Sequence, residues 1–421
     1  MQAKVLVTTT HRWYPTARLA MALANAGCHV EAVCPPNHPL LKTSALHRIH
    51  RYYGLAPLTS FERAIVQAKP DFIVSSDDLA TQHLHRLHDR ERHSDTGEPI
   101  CSLIERSLGA PESFPIAFAR AAFMDVARQE AVRVPTTEVI RDGNDLRQWV
   151  SKIGFPFVLK ANGTSGGDGV RVVYKLEDAE RAFRKLEAPP VWARAAKRAL
   201  VDRDKTLIRP CLLRRRPVVN AQTFVAGREA TSTVFCWQGA VLASLHFEVL
   251  NKMHALGHAT TVRLIEHPEM SAAAEKMVRR LGLSGLYGFD FMLEAHTGNA
   301  YLIEMNPRAT QVGHLALGPG KDLPAALYAA LSGDMVRPAP KVTETDTIVL
   351  FPQEWVRDPA SKFLRLGYHD VPWEEPELVD DCIRKSRIQR AWYAKRKLSA
   401  SRPSSLPLTG RSEDRLDCQT E

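Results

Sequence analysis

The sequence predicts a mixed α/β and α+β chain, a doubly wound parallel sheet first and an antiparallel region after it. Three observations carry this. Up to about residue 115, strand-like apolar runs alternate with helical patterns, as strands joined by helical crossovers do. Between about 116 and 335, runs of period two are separated by glycine turns, the mark of antiparallel pairing. Between two apolar runs stands "LKANGTSGGDGVRVVY", Leu159 to Tyr174, with four glycines in seven residues.

In chain order, "KVLVTTT" reads as a buried strand and "PTARLAMALANAG" as a helix closed by Gly27. "HVEAVC" is a second strand. "TSFERAIVQAKP" is a helix capped by Thr59 or Ser60, and "DFIVSSDD" is a third strand. The dinucleotide fingerprint G-x-G-x-x-G is absent after the first strand, where "TTTHRW" (Thr8 to Trp13) stands, so no NAD site is expected. That stretch lies at the carboxyl edge of the sheet, where open α/β sheets bind ligands. His83, His85 and His88 fall on one helical stretch where only His85 and His88 share a face, which reads as a solvated helix and not a metal site.

The second region opens with "FPIAFARAAFMDVARQEAVRVPTTEVI", a helix ending in a Val-Pro turn. "DLRQWVSKIGFPFVLKA" gives a helix, a Gly-Phe-Pro turn and a strand, and the glycine loop joins that strand to "VRVVY". "LEDAERAFRKLE" is a helix. The segment 218–250 reads as an antiparallel meander turning at Ala226-Gly227 and Gln238-Gly239. "SAAAEKMVRRLGLSG" is a helix, and "LYGFDFMLEAHTGNAYLIEMNPR" a hairpin turning at Thr297-Gly298-Asn299. Residues 336–398 retain aromatics and prolines and read as an ordered extension. Residues 399–421 are Ser/Pro-rich and polar, a disordered tail.

Composition narrows the function classes. An apolar fraction of 44% with no long apolar run excludes a transmembrane helix. The first residues lack signal-peptide architecture, and the seven cysteines are scattered without a C-x-x-C pair; both suit a cytoplasmic protein with reduced thiols. The net charge of +9 is concentrated between Arg181 and Arg216, where twelve Lys/Arg face three acids. Such an insert suits nucleic acid or a polyanionic small ligand. Phe183 and Trp192 are too few to stack on bases, so nucleic acid is not the expected partner.

The chemistry gathers in the hairpin. Glu304 and Asn306 are two apart and share a strand face, and the turn at Gly298 is almost equidistant from Asp290 and Glu304. Two carboxylates and an amide oxygen form the hard oxygen set that Mg²⁺ prefers beside phosphates. Arg308, just beyond, is placed to brace a phosphoryl group. By itself the pattern also fits a surface hairpin with exposed acids. The glycine loop is not a Walker A loop, because Lys160 precedes the glycines instead of following them.

Lysine, glycine loop and carboxylate hairpin, in that order, resemble the ATP-grasp superfamily over roughly Phe114 to Leu331. The preceding region resembles its companion pre-ATP-grasp domain. "FPFVLKANGTSGGDGV" resembles the family's nucleotide lysine, Lys160, and its phosphate-covering loop with Gly166 and Gly167. "AQTFVAGREA" resembles the hinge strand; by that match Gln222 holds the polar hinge position, Val225 offers backbone groups to adenine and Glu229 holds the ribose. "FDFML" with "YLIEMNPR" is similar to the metal pair Asp290 and Glu304 with Asn306, followed by the catalytic Arg308. The implied architecture is a two-lobed ATP-grasp domain over 116–335 with a lid at about 135–220. The implied cofactors are ATP and Mg²⁺ (or Mn²⁺).

The implied activity joins a carboxylate, activated as an acyl-phosphate, to an amine or thiol. A homodimer is compatible with the resemblance. One departure stands out: the helix preceding the Val-Pro turn carries Ala122 where many members have a phosphate lysine, with Arg120 nearby to replace its charge. That departure leaves open a degenerate ATP-binding sensor or scaffold. A bicarbonate-using carboxylase is the other reading, though the chain shows no biotin-carrier lysine. His314, beyond the hairpin, is a candidate for the second substrate, and His246 and Arg263 are placed to face the cleft or to serve the structure.

Overall fold

The computed structural model describes residues 2–163, 169–188, 216–335, 337 and 339–387. The glycine-loop residues Gly166 and Gly167, most of the basic insert and the tail 399–421 lie outside the described residues.

The N-terminal sheet is parallel, ordered β3-β2-β1-β4, from β1 (Lys4–Thr8), β2 (His29–Cys34), β3 (Arg48–Arg51) and β4 (Phe72–Ser75). Helices α1 (Tyr14–Asn25), α2 (Pro57–Ala68), α3 (Asp78–Glu91) and α4 (Glu98–Leu108) connect and flank these strands. The pattern reading missed β3, a four-residue edge strand "RIHR" in which only His50 is buried, too short and too polar to show a period. It also misplaced the cap of α2. Ala56 is the N-cap and Pro57 opens the helix with its preset φ; Ser60 lies inside the first turn and donates to the Ala56 carbonyl. The histidines of α3 are not solvated. His83 and His88 are buried, His88 meets Glu105 at 2.7 Å, and His85 stacks on Phe114 with ring centroids 3.9 Å apart. A helix packed on both sides hides polar positions that a one-sided helix would expose.

After α5 (Arg120–Gln129) comes a small antiparallel sheet, ordered β5-β8-β6-β7: β5 (Thr137–Ile140), β6 (Phe157–Ala161), β7 (Val170–Val173) and β8 (Val219–Thr223). Helices α6 (Gly143–Ile153) and α7 (Leu176–Glu187) pack on it around the fully buried Trp149, Phe157 and Leu159. The larger sheet is ordered β13-β12-β9-β10-β11-β14-β15. Its strands are β9 (Gly227–Trp237), β10 (Ala240–Lys252), β11 (Ala259–Leu264), β12 (Gly285–Glu294), β13 (Ala300–Asn306), β14 (Thr347–Leu350) and β15 (Tyr368–Asp370).

The turn at Ala226-Gly227 is therefore not a hairpin within one meander. β8 belongs to the small sheet and β9 to the large one, so Phe224–Ala226 crosses between the two lobes. Local alternation marks both strands equally and cannot say which sheet each joins. Residues beyond 335 add β14 and β15 to the large sheet through the β11–β14 pairing.

The N-terminal sheet docks on the large one. Phe72 stacks on Trp237 with ring centroids 5.6 Å apart, and the Tyr287 hydroxyl donates to the Leu108 carbonyl at 2.6 Å. Gly285 sits at this contact with φ +105°, and a Cβ there would meet the Ser107 carbonyl oxygen at 2.5 Å, so only glycine fits. One apolar cluster runs from β1 and α1 through Phe235 and Phe247 to Ile348 and Leu350. No helix among the described residues is long and apolar enough to cross a membrane.

Candidate active site

Between the small sheet and the large one lies a cleft of about 370 Å³, lined in part by Phe224 and Val225 of the link between them. Its walls include Lys160, Gln222, Val225, Glu229, Asp290, Glu304, Asn306, Arg308 and Arg120. Residues as far as 188 positions apart in sequence thus share one space. Val158 and Val172 from the small sheet and Met292 and Ile303 from the large one give it apolar faces suited to a flat ring.

Lys160 is the last but one residue of β6 and is buried, with Nζ 3.4 Å from the Ile303 carbonyl oxygen. Burial, reinforced by the nearby Arg120, lowers its pKa to about 8 against the pull of Glu304, Asp290 and Glu229. Gln222 donates from Nε2 to Thr137 Oγ1 at 3.0 Å, which fixes its amide at the hinge. Glu229 opens β9 on the side facing the hinge and is held by Lys252 Nζ at 2.5 Å.

The hairpin register sets the carboxylates. Asp290 on β12 pairs directly with Glu304 on β13, and Gly288 pairs with Asn306. Asn306 donates from Nδ2 to Asp290 Oδ2 at 2.9 Å. Burial first, and the Glu304 charge second, push Asp290 up to about 6, although hydrogen bonds from Asn306 and Thr231 oppose this. Two carboxylates forced together out of water with an amide oxygen beside them are a donor set that favours a hard divalent cation, so the residues present fit Mg²⁺. Glu304 also accepts from Arg120 Nη2 at 2.5 Å, while Arg120 Nη1 donates to the Ala161 carbonyl at 2.6 Å.

Residues 123–312 match the family model described as an ATP-grasp domain. This stretch is an ATP-grasp domain. Among the curated proteins similar to this chain is the N-terminal section of the carbamoyl phosphate synthase large chain of Aquifex aeolicus. It is 27% identical over 205 residues, which cover 47% of this chain and 33% of that protein. The chain therefore spans about a third of that relative's length.

Solved structures share the fold. The Staphylococcus aureus N5-carboxyaminoimidazole synthetase, complexed with ADP, has a TM-score of 0.55 at 14% identity and 80% coverage of both chains. The biotin carboxylase domain of the Hydrogenobacter thermophilus 2-oxoglutarate carboxylase, complexed with MgADP, ADP and bicarbonate, has a TM-score of 0.56 at 16% identity. That match covers 80% of this chain and 71% of the other.

Just ahead of the matched residues, Ala122 is exposed, while Arg120 opens α5 and turns into the cleft, so the nearby arginine and not position 122 brings the charge inward. His314, His246 and Arg263 are not among the residues lining the cleft. His314 is buried, with Nε2 2.7 Å from Asp370 Oδ2. Both ring nitrogens of His246 meet serine hydroxyls, Ser232 at 2.6 Å and Ser271 at 2.8 Å. Arg263 pairs with Glu248 at 2.5 Å. From "TTTHRW", Trp13 reaches the cleft wall. Sequence reasoning missed Lys252, His258 and Gln311, which also line it. Lys252 ends a strand of ordinary alternation, and no local signal distinguishes it from a surface lysine.

Proposed function

We propose that this protein is an ATP- and Mg²⁺-dependent ligase that activates a carboxylate as an acyl-phosphate for attack by an amine or thiol. The observation that carries the reading is the cross-strand pair Asp290–Glu304, with Asn306 beside it, opening onto the same cleft as Lys160, Glu229 and Arg308. In this reading ATP lies between the lobes. Gln222 and Val225 receive the adenine, Glu229 accepts from the ribose hydroxyls, and Lys160 and Arg120 offset phosphate charge. Asp290, Glu304 and Asn306 would hold the Mg²⁺ (or Mn²⁺), which when bound neutralises charge on the phosphate oxygens.

Arg308 steadies the phosphoryl group as it passes to the substrate carboxylate, through charged N–H donors of its guanidinium. The amine then displaces inorganic phosphate. Positioning and charge do the work, and no covalent enzyme intermediate is required.

The test is an ADP-release screen with MgATP against pooled amino acids and small carboxylates. Substrate-dependent ADP release that Glu304→Gln abolishes, with an unchanged melting curve, supports the reading. Normal turnover in Glu304→Gln removes it. ATP binding with no substrate-dependent release under any pool favours a degenerate sensor.

A further inference from the structure

The guanidinium of Arg308 is held from another domain. Its Nε donates to Asp78 Oδ1 at 3.0 Å, its Nη1 to the Ala309 carbonyl at 3.1 Å and its Nη2 to Asn306 Oδ1 at 3.4 Å. Its Cζ lies 5.5 Å from the ring centroid of Trp13. Asp78 and Trp13 belong to the N-terminal parallel-sheet domain, 230 and 295 residues upstream. The backbone on either side of the arginine is fastened there too. Thr81 donates from Oγ1 to the Pro307 carbonyl at 2.8 Å, and the Ala309 N–H donates to the Ser75 carbonyl at 2.9 Å.

The β4–α3 turn that makes these contacts is itself fixed. Asp77 caps α3 by accepting from the Ala80 N–H at 2.8 Å, and it also accepts from Thr9 Oγ1, Thr10 Oγ1 and the Thr10 N–H. A rigid turn therefore presents the next carboxylate, Asp78, to the Nε of the guanidinium.

A guanidinium has five donors in a plane, and an acceptor on Nε fixes the rotation of that plane. We propose that Asp78 is a positioning residue for the reaction, orienting Arg308 from the neighbouring domain so that its Nη edge faces the transferring phosphoryl group. This rests on the nucleotide reading above. It gives the N-terminal domain a part in the chemistry, through a side chain that acts by holding Arg308. The competing structural role is that of an acid in the first turn of α3, favoured by the helix dipole; that role would affect stability and not act through Arg308.

The experiment measures binding of MgADP by calorimetry, alone and with aluminium fluoride as the phosphoryl probe. It compares wild type, Asp78→Ala, Asp78→Asn, Arg308→Lys and the Asp78→Ala/Arg308→Lys double variant. Expected are MgADP affinities of the two Asp78 single variants within about threefold of wild type and a fluoride-dependent tightening in wild type. Asp78→Ala and Arg308→Lys each lose about tenfold or more of that tightening, the scale of a hydrogen bond to a charged group.

The double variant should be no worse than Arg308→Lys alone, because the aspartate acts only through the arginine. Asp78→Asn, which keeps an acceptor oxygen, should lose less, and it carries the test if Asp78→Ala does not fold. Full tightening in both Asp78 variants, or additive losses in the double variant, overturns the inference and leaves the nucleotide reading intact. Wild type that binds no MgADP overturns both. Wild type that binds MgADP without a fluoride effect removes the role of Arg308, and the inference with it.

Discussion

Asp290 and Glu304 face each other across the β12–β13 ladder as direct register partners, with Asp290 pushed up to about 6 by burial and by the Glu304 charge. Holding two carboxylates this close costs stability unless a cation is present. An Asp whose folded pKa is raised contributes stability fully below its unfolded value, near 4, and loses it as pH rises through about 6. In metal-free buffer at neutral pH, Asp290→Asn should therefore stabilise the fold by roughly 1–2 kcal/mol. The gain should vanish at about pH 4. Thermal melts with a chelator at both pH values check this, and a loss of stability at neutral pH would refute it.

The charge facing the phosphates should come from Arg120 and not from a restored lysine at position 122. Arg120 is anchored on both Glu304 and the Ala161 carbonyl, whereas Ala122 points to solvent. Arg120→Ala should weaken MgATP binding about tenfold or more. Ala122→Lys should leave it nearly unchanged. A marked gain in affinity from Ala122→Lys would mean that the helix rotates on nucleotide binding.

Nucleotide affinity should carry a signature of Lys160. Its pKa of about 8 in the free protein means that it carries its charge at neutral pH and loses it on the alkaline side. The dissociation constant for MgATP should be flat up to about pH 7.5 and should rise steadily towards about pH 9.5. Lys160→Arg, charged throughout, should show a flat profile over the same interval. Identical profiles for the two proteins would mean that Lys160 does not contact the phosphates.

Asp370 joins three parts of the chain. It accepts from Arg18 Nη2 at 2.6 Å and meets His314 at 2.7 Å, and the two partners hold its pKa well below the usual carboxylate range despite burial. Asp370→Ala would remove the carboxylate that Arg18 and the buried His314 share, leaving Arg18, among the described residues, only the exposed Glu374 at 3.4 Å. It should lower unfolding stability by about 3–5 kcal/mol, while MgATP affinity in the remaining folded protein stays within about twofold. Chemical denaturation and calorimetry separate the two effects. A lost affinity with normal stability would place His314 in the site instead.

Much of the site was legible because hairpins are local. A turn at Gly298 and a period of two place Asp290 opposite Glu304 with no knowledge of the rest of the molecule. Lys160 was legible from its position just ahead of the glycines. Lys252 and Asp78 were not, because each looks like an ordinary charged residue until a distant segment meets it.

The sequence by itself determined most of the strands and helices, the antiparallel hairpin and the residue types able to hold phosphate and a hard cation. Propensity, turn chemistry and side-chain period act over a few residues, and they are written along the chain. Tertiary structure decided that β8 leaves its apparent meander for the small sheet, that His83 and His88 of α3 are buried, and that Arg308 is steadied by Asp78. Those outcomes depend on which apolar faces cover one another, and burial couples residues by space and not by sequence separation.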